Sequence, residues 1–278
     1  MAFKTVLLVT GVDHPDAEID RAAGVAEAWG AHLSVLVLGI APPPPTSAYG
    51  VVSNDIWAVQ FRENQQVVEE RAAVLRDRLA ARTEAVSVEA QFLDRASVAT
   101  LVARFARYAD ATLILPEPEA AEPIQSWVTN GALFESGRPV VLLPTADTPF
   151  PAVRRVVIAW DASVEASKAV RDAIGLMQGA ETVTAVLVDP VPSFDGHGAE
   201  PGADLAVYLG RHGIALEVQR LPSEGKDVAE VLQRATLDRD ADLLVMGGFG
   251  HSRLRQRIFG GTTMSTLKET RVATLMSH

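Results

Sequence analysis

Residues 242–250 read Asp-Leu-Leu-Val-Met-Gly-Gly-Phe-Gly, and after nine further residues the sequence continues Gly260-Gly261-Thr262-Thr263. The apolar run at 243–246 is typical of a buried parallel strand, and the segment 264–269 is typical of a helix. Glycines let a backbone approach an anion and aim N–H groups at it, while a helix N-terminus adds its positive dipole end. The order strand, glycine turn, loop, glycine and helix therefore predicts a phosphate-binding loop.

The spacing of these glycines separates the loop from the two commonest phosphate motifs. It does not match the dinucleotide fingerprint, because the two glycine groups lie a whole loop apart. It does not match the Walker loop either, because no Lys-Ser or Lys-Thr follows the last glycine. A flexible loop without a ligand remains the alternative to phosphate binding.

Composition narrows the classes of partner. The 278 residues carry a net charge of −10, which disfavours nucleic acid and anionic membrane surfaces. Residues 1–150 hold 11 Lys/Arg against 19 Asp/Glu, whereas residues 151–278 hold 14 against 16, so the region with the glycines is less repulsive to an anion. The absence of cysteine excludes disulfides, thiolate metal sites and thiol nucleophiles.

The N-terminus and the apolar runs bear on location. Phe3 to Thr10 is too short for a signal peptide and is followed at once by acidic residues. The longest apolar run, Leu33 to Pro45, ends in four prolines and is too short to span a bilayer. We therefore expect a cytoplasmic protein without a membrane partner.

An internal repeat organises the chain. At an offset of 150, residues 4–9 fall on 154–159 and residues 33–38 fall on 183–188 without a gap. The repeat predicts two domains, 1–146 and 152–278, joined by a linker at Pro144 to Pro151. Alternation of strands and helices within each copy predicts an α/β fold, with two tandem doubly wound domains and a mainly parallel five-stranded sheet in each.

Periodicity places the elements. In the first copy we predict strands at 3–10, 32–39, 86–92, 112–115 and 139–143, with helices at 16–29, 54–81, 97–108 and 122–136. In the second copy we predict strands at 153–160, 182–188, 242–246 and 273–276, with helices at 163–178, 203–211 and 228–238. Ser163 and Asp227 are predicted to cap two of these helices.

The spacing of Gly247, Gly250 and Gly260 resembles the Gly-x-x-Gly-x9-Gly signature of the universal stress protein family. Together with the repeat, the resemblance covers nearly the whole chain, as two fused domains of that family. It implies a five-stranded α/β fold that holds ATP, with Mg²⁺ as an optional companion, at the strand ends.

The resemblance also implies roles for particular residues of the second copy. Asp161 falls on an aspartate that contacts adenine or ribose, although it is equally placed to cap the helix near Ser163. The remaining nucleotide positions are Leu187 and Met246 beside adenine, Gly247, Gly250 and Gly260 beside phosphate, and Gly261 and Thr262 as backbone donors. Gly261 replaces the usual Ser or Thr, which removes a hydroxyl donor. Arg253 is a further candidate to close over phosphate, with a solvated basic loop as the alternative.

The first copy departs from the family pattern. Gly11 stands where the second copy has Asp161, and Pro116-Glu117-Pro118-Glu119 stands where it has the glycine turn. Prolines remove N–H donors and carboxylates repel phosphate, so we predict that this copy does not bind ATP in the family manner. This copy could serve in packing, in regulation or in binding a different ligand, and the sequence leaves all three roles open.

No catalytic motif emerges, and we expect neither a metal site nor an enzyme, with ATP hydrolysis at most slow or partner-dependent. The predicted function is a nucleotide-dependent stress-response regulator. The alternative is a nucleotide-free scaffold in which Pro139–Leu143 and Ala273–Met276 pair, a homodimer is open, and an unidentified protein docks. A weaker alternative, an ATP pyrophosphatase, lacks its Ser-Gly-Gly-x-Asp-Ser loop.

Overall fold

The computed structural model describes residues 3–43, 54–83, 85–116, 123–144, 152–194, 196–248 and 272–278. The chain divides into two compact units. Lys4–Ser136 form the N-terminal unit, and Gly137–His278 form the C-terminal unit together with Met1–Phe3.

The N-terminal unit is built on four parallel strands. They are β1 (Thr5–Gly11), β2 (His32–Ile40), β3 (Val86–Leu93) and β4 (Ala111–Ile114). Their order in the sheet is β3-β2-β1-β4, and β1 and β4 consist almost entirely of buried residues. Such continuous apolar strands are covered by helices on both faces.

Four helices accompany this sheet. They are α1 (Asp16–Trp29), α2 (Asn54–Ala80), α3 (Val98–Ala106) and α4 (Gln125–Thr129). The predicted helix at 122–136 differs from the observed one, because α4 passes into a π-helical segment, Asn130–Glu135. Gly131 lies in that segment, and a Cβ there would be 2.2 Å from the Ala99 carbonyl oxygen of α3. Close packing of the two backbones therefore accompanies the wider helical turn.

Six strands lie in the part of the C-terminal unit that the structure describes. They are β5 (Val140–Leu142), β6 (Arg155–Ala159), β7 (Thr182–Val188), β8 (Glu217–Leu221), β9 (Leu243–Gly247) and β10 (Ala273–Ser277). Their order is β5-β10-β9-β6-β7-β8. All of these pairings are parallel except that of β5 with β10, which is antiparallel and sets Leu142 opposite Thr274.

The described residues of this unit also form three helices: α5 (Val164–Met177), α6 (Ala203–Arg211) and α7 (Val228–Leu237). Helix α5 buries Ala169, Val170 and Ala173 against β9 and β10, while α7 contacts β7. Both predicted caps are present. The Ser163 hydroxyl accepts a hydrogen bond from the Ala166 N–H at 3.1 Å, and the Asp227 carboxylate accepts one from the Ala229 N–H at 2.9 Å.

The same carboxylate contact occurs in both copies of the repeat. Asp110 precedes β4 and accepts hydrogen bonds from the backbone N–H groups of Lys4 and Thr5, at 2.7 and 3.0 Å. Asp242 precedes β9 and accepts them from Arg154 and Arg155, at 2.9 and 2.8 Å. In each copy one carboxylate therefore fixes the start of the first strand beside the fourth. We call these contacts the aspartate clamps.

The predicted fold class is confirmed, with a mostly parallel sheet, flanking helices and five strands from each half of the repeat. Strand β8 is an element that the sequence analysis did not place. The domain boundaries 1–146 and 152–278 stay a prediction about the repeat, since the compact units divide at residue 136. Most of the predicted linker lies outside the described residues. Within the described ranges, no helix is long and apolar enough to cross a bilayer.

Candidate functional site

The C-terminal sheet has a reversal point between β6 and β9. From β6 the chain crosses to β7 on one side, whereas β9 and β10 extend the sheet on the other side. In open α/β sheets, ligands bind in the crevice outside the carboxyl ends of the strands at such a reversal. We call the carboxyl ends of β6, β7 and β9 the second edge, and the corresponding ends of β1, β2 and β4 the first edge.

An apolar surface reaches the second edge on the face that carries α7. Val157, Val186 and Leu244 form a buried cluster with α7. Ala159, Val188 and Met246 continue the same three strands by two residues and pack on that cluster, but each is only half-buried. We call these last three residues the apolar rim. Partly exposed apolar side chains that converge at strand ends are suited to a flat, apolar ring.

Leu187 does not belong to this rim. Successive residues of a strand point to opposite faces. Val186 and Val188 pack with Met246, so the Leu187 side chain points to the other face of the sheet, where it is fully buried. The resemblance indicated the strand end but not the face, so a contact of Leu187 with adenine stays a prediction. Val188 is the residue that the structure brings together with Met246.

Asp161 lies two residues beyond the end of β6 and is exposed. Its carboxylate Oδ1 accepts a hydrogen bond from the Ser163 N–H at 3.0 Å. Ala162 between them has a φ of 61°, a left-handed conformation that costs a non-glycine residue of order 1 kcal/mol. Asp161 thus supports the start of α5, while its exposure leaves the carboxylate accessible at the second edge.

Gly247 has a steric reason to be glycine. A Cβ at this position would lie 2.6 Å from the Ala166 backbone nitrogen and 2.9 Å from the Glu165 carbonyl carbon. The carboxyl end of β9 is therefore packed directly on the first turn of α5. This contact places the end of β9 beside the N-terminus of a 14-residue helix.

The turn after β9 is tied to the end of β10. The Gly248 N–H donates to the Ser277 carbonyl at 2.6 Å. The Gly248 carbonyl accepts from the ring Nδ1 of His278 at 2.7 Å. The Gly248 amide is therefore engaged within the protein.

Five of the predicted phosphate-contacting residues lie outside the described residues: Gly250, Arg253, Gly260, Gly261 and Thr262. Their roles stay predictions. In the described part of the chain, no group of three or more His, Asp or Glu side chains is arranged to hold a metal ion.

Asp189 is a second carboxylate at this edge that the sequence analysis did not consider. It follows Val188 with a φ of 46°, and its Oδ1 accepts a hydrogen bond from the Ser223 N–H at 3.1 Å. Hydrogen bonds from Ser223 hold the pKa of Asp189 below its usual value. This contact ties the residue that follows β7 to the segment that follows β8.

At the first edge, the corresponding residues at the strand ends are buried leucines. Leu38 and Leu115, which correspond to Val188 and Met246 in the repeat, are 2% and 3% exposed. A Cβ added to Gly11, the counterpart of Asp161, would lie 3.7 Å from the Ile124 Cδ1 atom. The Ile124 side chain therefore lies where the second edge carries an exposed acid.

Comparison with known proteins supports the family resemblance for the second half of the chain. The pattern of the Universal stress protein family matches residues 152–278. Universal stress protein Slr1230 from Synechocystis sp. is 28% identical over 134 residues, which are 48% of this chain and 46% of that protein. The chain thus spans about half the length of this relative, and the family likeness in sequence is to residues 152–278.

Solved structures extend the likeness to the whole chain. A universal stress protein from Archaeoglobus fulgidus aligns with a TM-score of 0.65 and 16% identity, covering 98% of this chain and 95% of the other. A protein of Pseudomonas aeruginosa with the same family name aligns with a TM-score of 0.59 and 17% identity, covering 99% and 93%. At these identities the likeness shows the fold alone.

Proposed function

We propose that the C-terminal universal stress protein domain binds ATP at the second edge and acts as a nucleotide-dependent regulator of a stress response. The apolar rim would receive the adenine ring, and Asp161 would accept hydrogen bonds from adenine or ribose. The phosphates would extend past Gly247 toward the loop that contains Gly250, Arg253, Gly260, Gly261 and Thr262.

The observation that carries this proposal is the position of the apolar rim at the reversal of strand order. Ala159, Val188 and Met246 are half-buried there, whereas the residues that precede them on the same face are buried. Loss of the remaining exposure on contact with a ring would contribute about 25 cal/mol per Å² of apolar surface. The exposed Asp161 lies beside this surface and offers polar contacts.

A stability titration tests the proposal. Saturating Mg-ATP at about 100 times the dissociation constant should stabilise the protein by about 2.7 kcal/mol, measured as a shift of the thermal midpoint. ADP and AMP serve as comparison ligands, and stabilisation should fall in the order ATP, ADP, AMP if phosphates are bound. Absence of any shift at millimolar ATP would count against the proposal.

Two variants separate ligand contacts from folding contacts. Asp161→Ala should weaken ATP binding by about tenfold, because a hydrogen bond to a charged group contributes about 1.5 kcal/mol. Asp238→Ala removes an exposed acid of the same unit that follows α7, before the amino end of β9, and should leave ATP binding unchanged. If Asp161→Ala lowers only the stability of the free protein, Asp161 is a capping residue and not a nucleotide contact.

The glycine loop has its own variant pair. Gly260→Glu should abolish the ATP shift by placing a carboxylate against phosphate. Gly179→Glu adds the same charge at an exposed glycine where a Cβ meets nothing within 4 Å, and should preserve the shift. Equal ATP binding by the two variants would remove the loop from the proposal.

The proposal has three further parts. The domain binds ATP without appreciable turnover, so protein incubated with ATP should release ADP no faster than the Gly260→Glu variant. The N-terminal unit is a diverged domain of the same family. The protein works in the cytoplasm, where ATP is available as a signal.

A second candidate function is a scaffold that works without nucleotide. The antiparallel pairing of β5 with β10 favours it, because this contact joins segments from the two halves of the repeat. A homodimer and a docked protein partner belong to this candidate. Protein purified without bound nucleotide, together with normal activity of Gly260→Glu in stressed cells, would support it over ATP sensing.

A further inference from the structure

The first edge retains a cavity although it lacks the nucleotide features. The cavity lies among the ends of β1 and β2 and one face of α2, and its volume is about 140 Å³. Its walls include the apolar side chains Leu38, Ile40, Val67, Val68, Phe92 and Ile124. Asp13, His14 and Asn64 supply the polar part of the lining.

The volume of the cavity limits the size of the apolar part of a ligand that can enter it. An engineered apolar cavity of about 150 Å³ stays dry and binds benzene. Pockets for drug-sized molecules are larger, roughly 300–1,000 Å³. The cavity at the first edge therefore accommodates one ring or a short branched chain, and not a nucleotide.

The charges around the cavity favour one sign of charge on the polar group of a ligand. Asp13 and Asn64 are both exposed, so they lie on the solvent side of the lining. Among the described lining residues there is no Lys or Arg. Residues 4–136 hold 10 Lys/Arg against 18 Asp/Glu, a net charge of −8. A cation is attracted to this site and a carboxylate is repelled.

Neighbouring contacts keep the cavity in shape. A Cβ on Gly39 would lie 2.2 Å from Val68 Cγ2 and 2.9 Å from Phe92 Cδ2, so α2 and β3 already meet over this glycine. Arg71 of α2 donates from Nη2 to the His14 carbonyl at 2.7 Å. The His14 ring Nε2 donates to the Pro116 carbonyl at 3.2 Å. The wall and the segment that follows β1 are therefore fixed to each other.

We propose that the first edge binds a compact organic amine. Its apolar body occupies the cavity, and its ammonium group lies at the mouth, where the Asp13 carboxylate and the Asn64 side-chain oxygen accept hydrogen bonds. Such a site gives the N-terminal unit a ligand of its own, and it does not depend on ATP binding at the second edge.

Backbone amide NMR spectra of the full chain test this with three probes of similar size. Benzylamine carries the ring and the cation, toluene carries the ring alone, and phenylacetate carries the ring with an anion. We expect benzylamine to shift amide signals of the first edge and to bind about fivefold more tightly than toluene, with phenylacetate weakest. Equal binding of benzylamine and toluene, or shifts confined to other regions, would overturn the proposal.

Variants locate the binding to the cavity. Asp13→Asn should lower the affinity for benzylamine to that for toluene and leave toluene unaffected. Asp77→Asn, which removes another exposed acid from the same unit, should change neither. Ile40→Phe should weaken both probes by filling the cavity. A benzylamine preference that survives Asp13→Asn would contradict the assigned head-group contact, even if Ile40→Phe fails to fold.

Discussion

The first and second edges occupy corresponding places in two sheets with the same strand order, β3-β2-β1-β4 and β8-β7-β6-β9. The strands themselves are equally apolar in both. The difference lies in the last residues of the strands: the first edge ends in buried Leu38 and Leu115 under Ile124, and the second ends in half-buried Val188 and Met246 beside exposed Asp161. The two edges thus differ in a few side chains at the strand ends, while the order of the strands is the same.

The difference extends to the turns that follow the fourth strands. At the second edge, Gly247 packs on the backbone of α5. At the first edge the corresponding residue is Pro116, whose carbonyl accepts from His14. At corresponding positions, the C-terminal unit therefore requires glycine, whereas the N-terminal unit carries proline.

We expect Gly247→Ala to change the free energy of unfolding more than any other substitution at the two edges. The new methyl group meets backbone atoms of α5 that cannot rotate away, so we expect the free energy of unfolding to fall by about 3 kcal/mol in the absence of nucleotide. Denaturant unfolding provides the measurement, and Pro116→Ala is the matched change at the first edge, with an effect below about 1 kcal/mol. Equal stability of Gly247→Ala and the parent would leave phosphate binding as the only reason for this glycine.

The aspartate clamps allow the two units to be compared at the other ends of the same strands, where the first strand begins. Asp242→Ala leaves the Arg154 and Arg155 N–H groups without their acceptor and should cost about 2 kcal/mol, with a similar loss for Asp110→Ala. Chemical denaturation of both variants measures the two losses. A large loss for only one variant would show that the two copies start their first strands by different means.

The smallest effect concerns an ion-pair network on the surface of the N-terminal unit. Three acids pair with three arginines in it: Asp16, Asp20 and Glu27 with Arg71, Arg78 and Arg82. Hydrogen bonding from Arg78 holds the pKa of Asp20 below its usual value, and the Nε–Oδ1 distance is 3.1 Å. Because the folded-state pKa is the lower one, this stabilisation is present above the unfolded pKa of about 4 and is lost as pH falls through the folded pKa. The network is exposed, so the effect is modest.

The stability difference between Asp20→Asn and the parent should therefore be small at pH 7 and disappear at the acid end of a pH series of denaturation curves. Asp238→Asn removes a surface acid from the C-terminal unit and serves as the control variant. A difference that persists at low pH would mean that Asp20 acts through packing rather than through its charge.

Several features of the fold followed from local sequence. The 3.6-residue period gave α1, and the structure buries Ile19, Ala22 and Ala23 on this helix. The apolar run at 182–188 gave β7 with its observed bounds. Ser163 and Asp227 cap as predicted, because a cap depends only on residues two or three positions away. Strand β8 was missed, since an edge strand with the sequence Glu-Val-Gln-Arg-Leu carries little burial signal.

The sequence by itself determined the doubling of the domain, the α/β class and the strand end at which a nucleotide is sought, because repeats and periodicity are properties of neighbouring residues. The tertiary structure decided that Val188 rather than Leu187 joins Met246, and that Gly247 is pressed on α5. It also decided that Ile124 covers Gly11. Those outcomes depend on which element packs on which face of a sheet, and that choice is made by residues far apart in the chain.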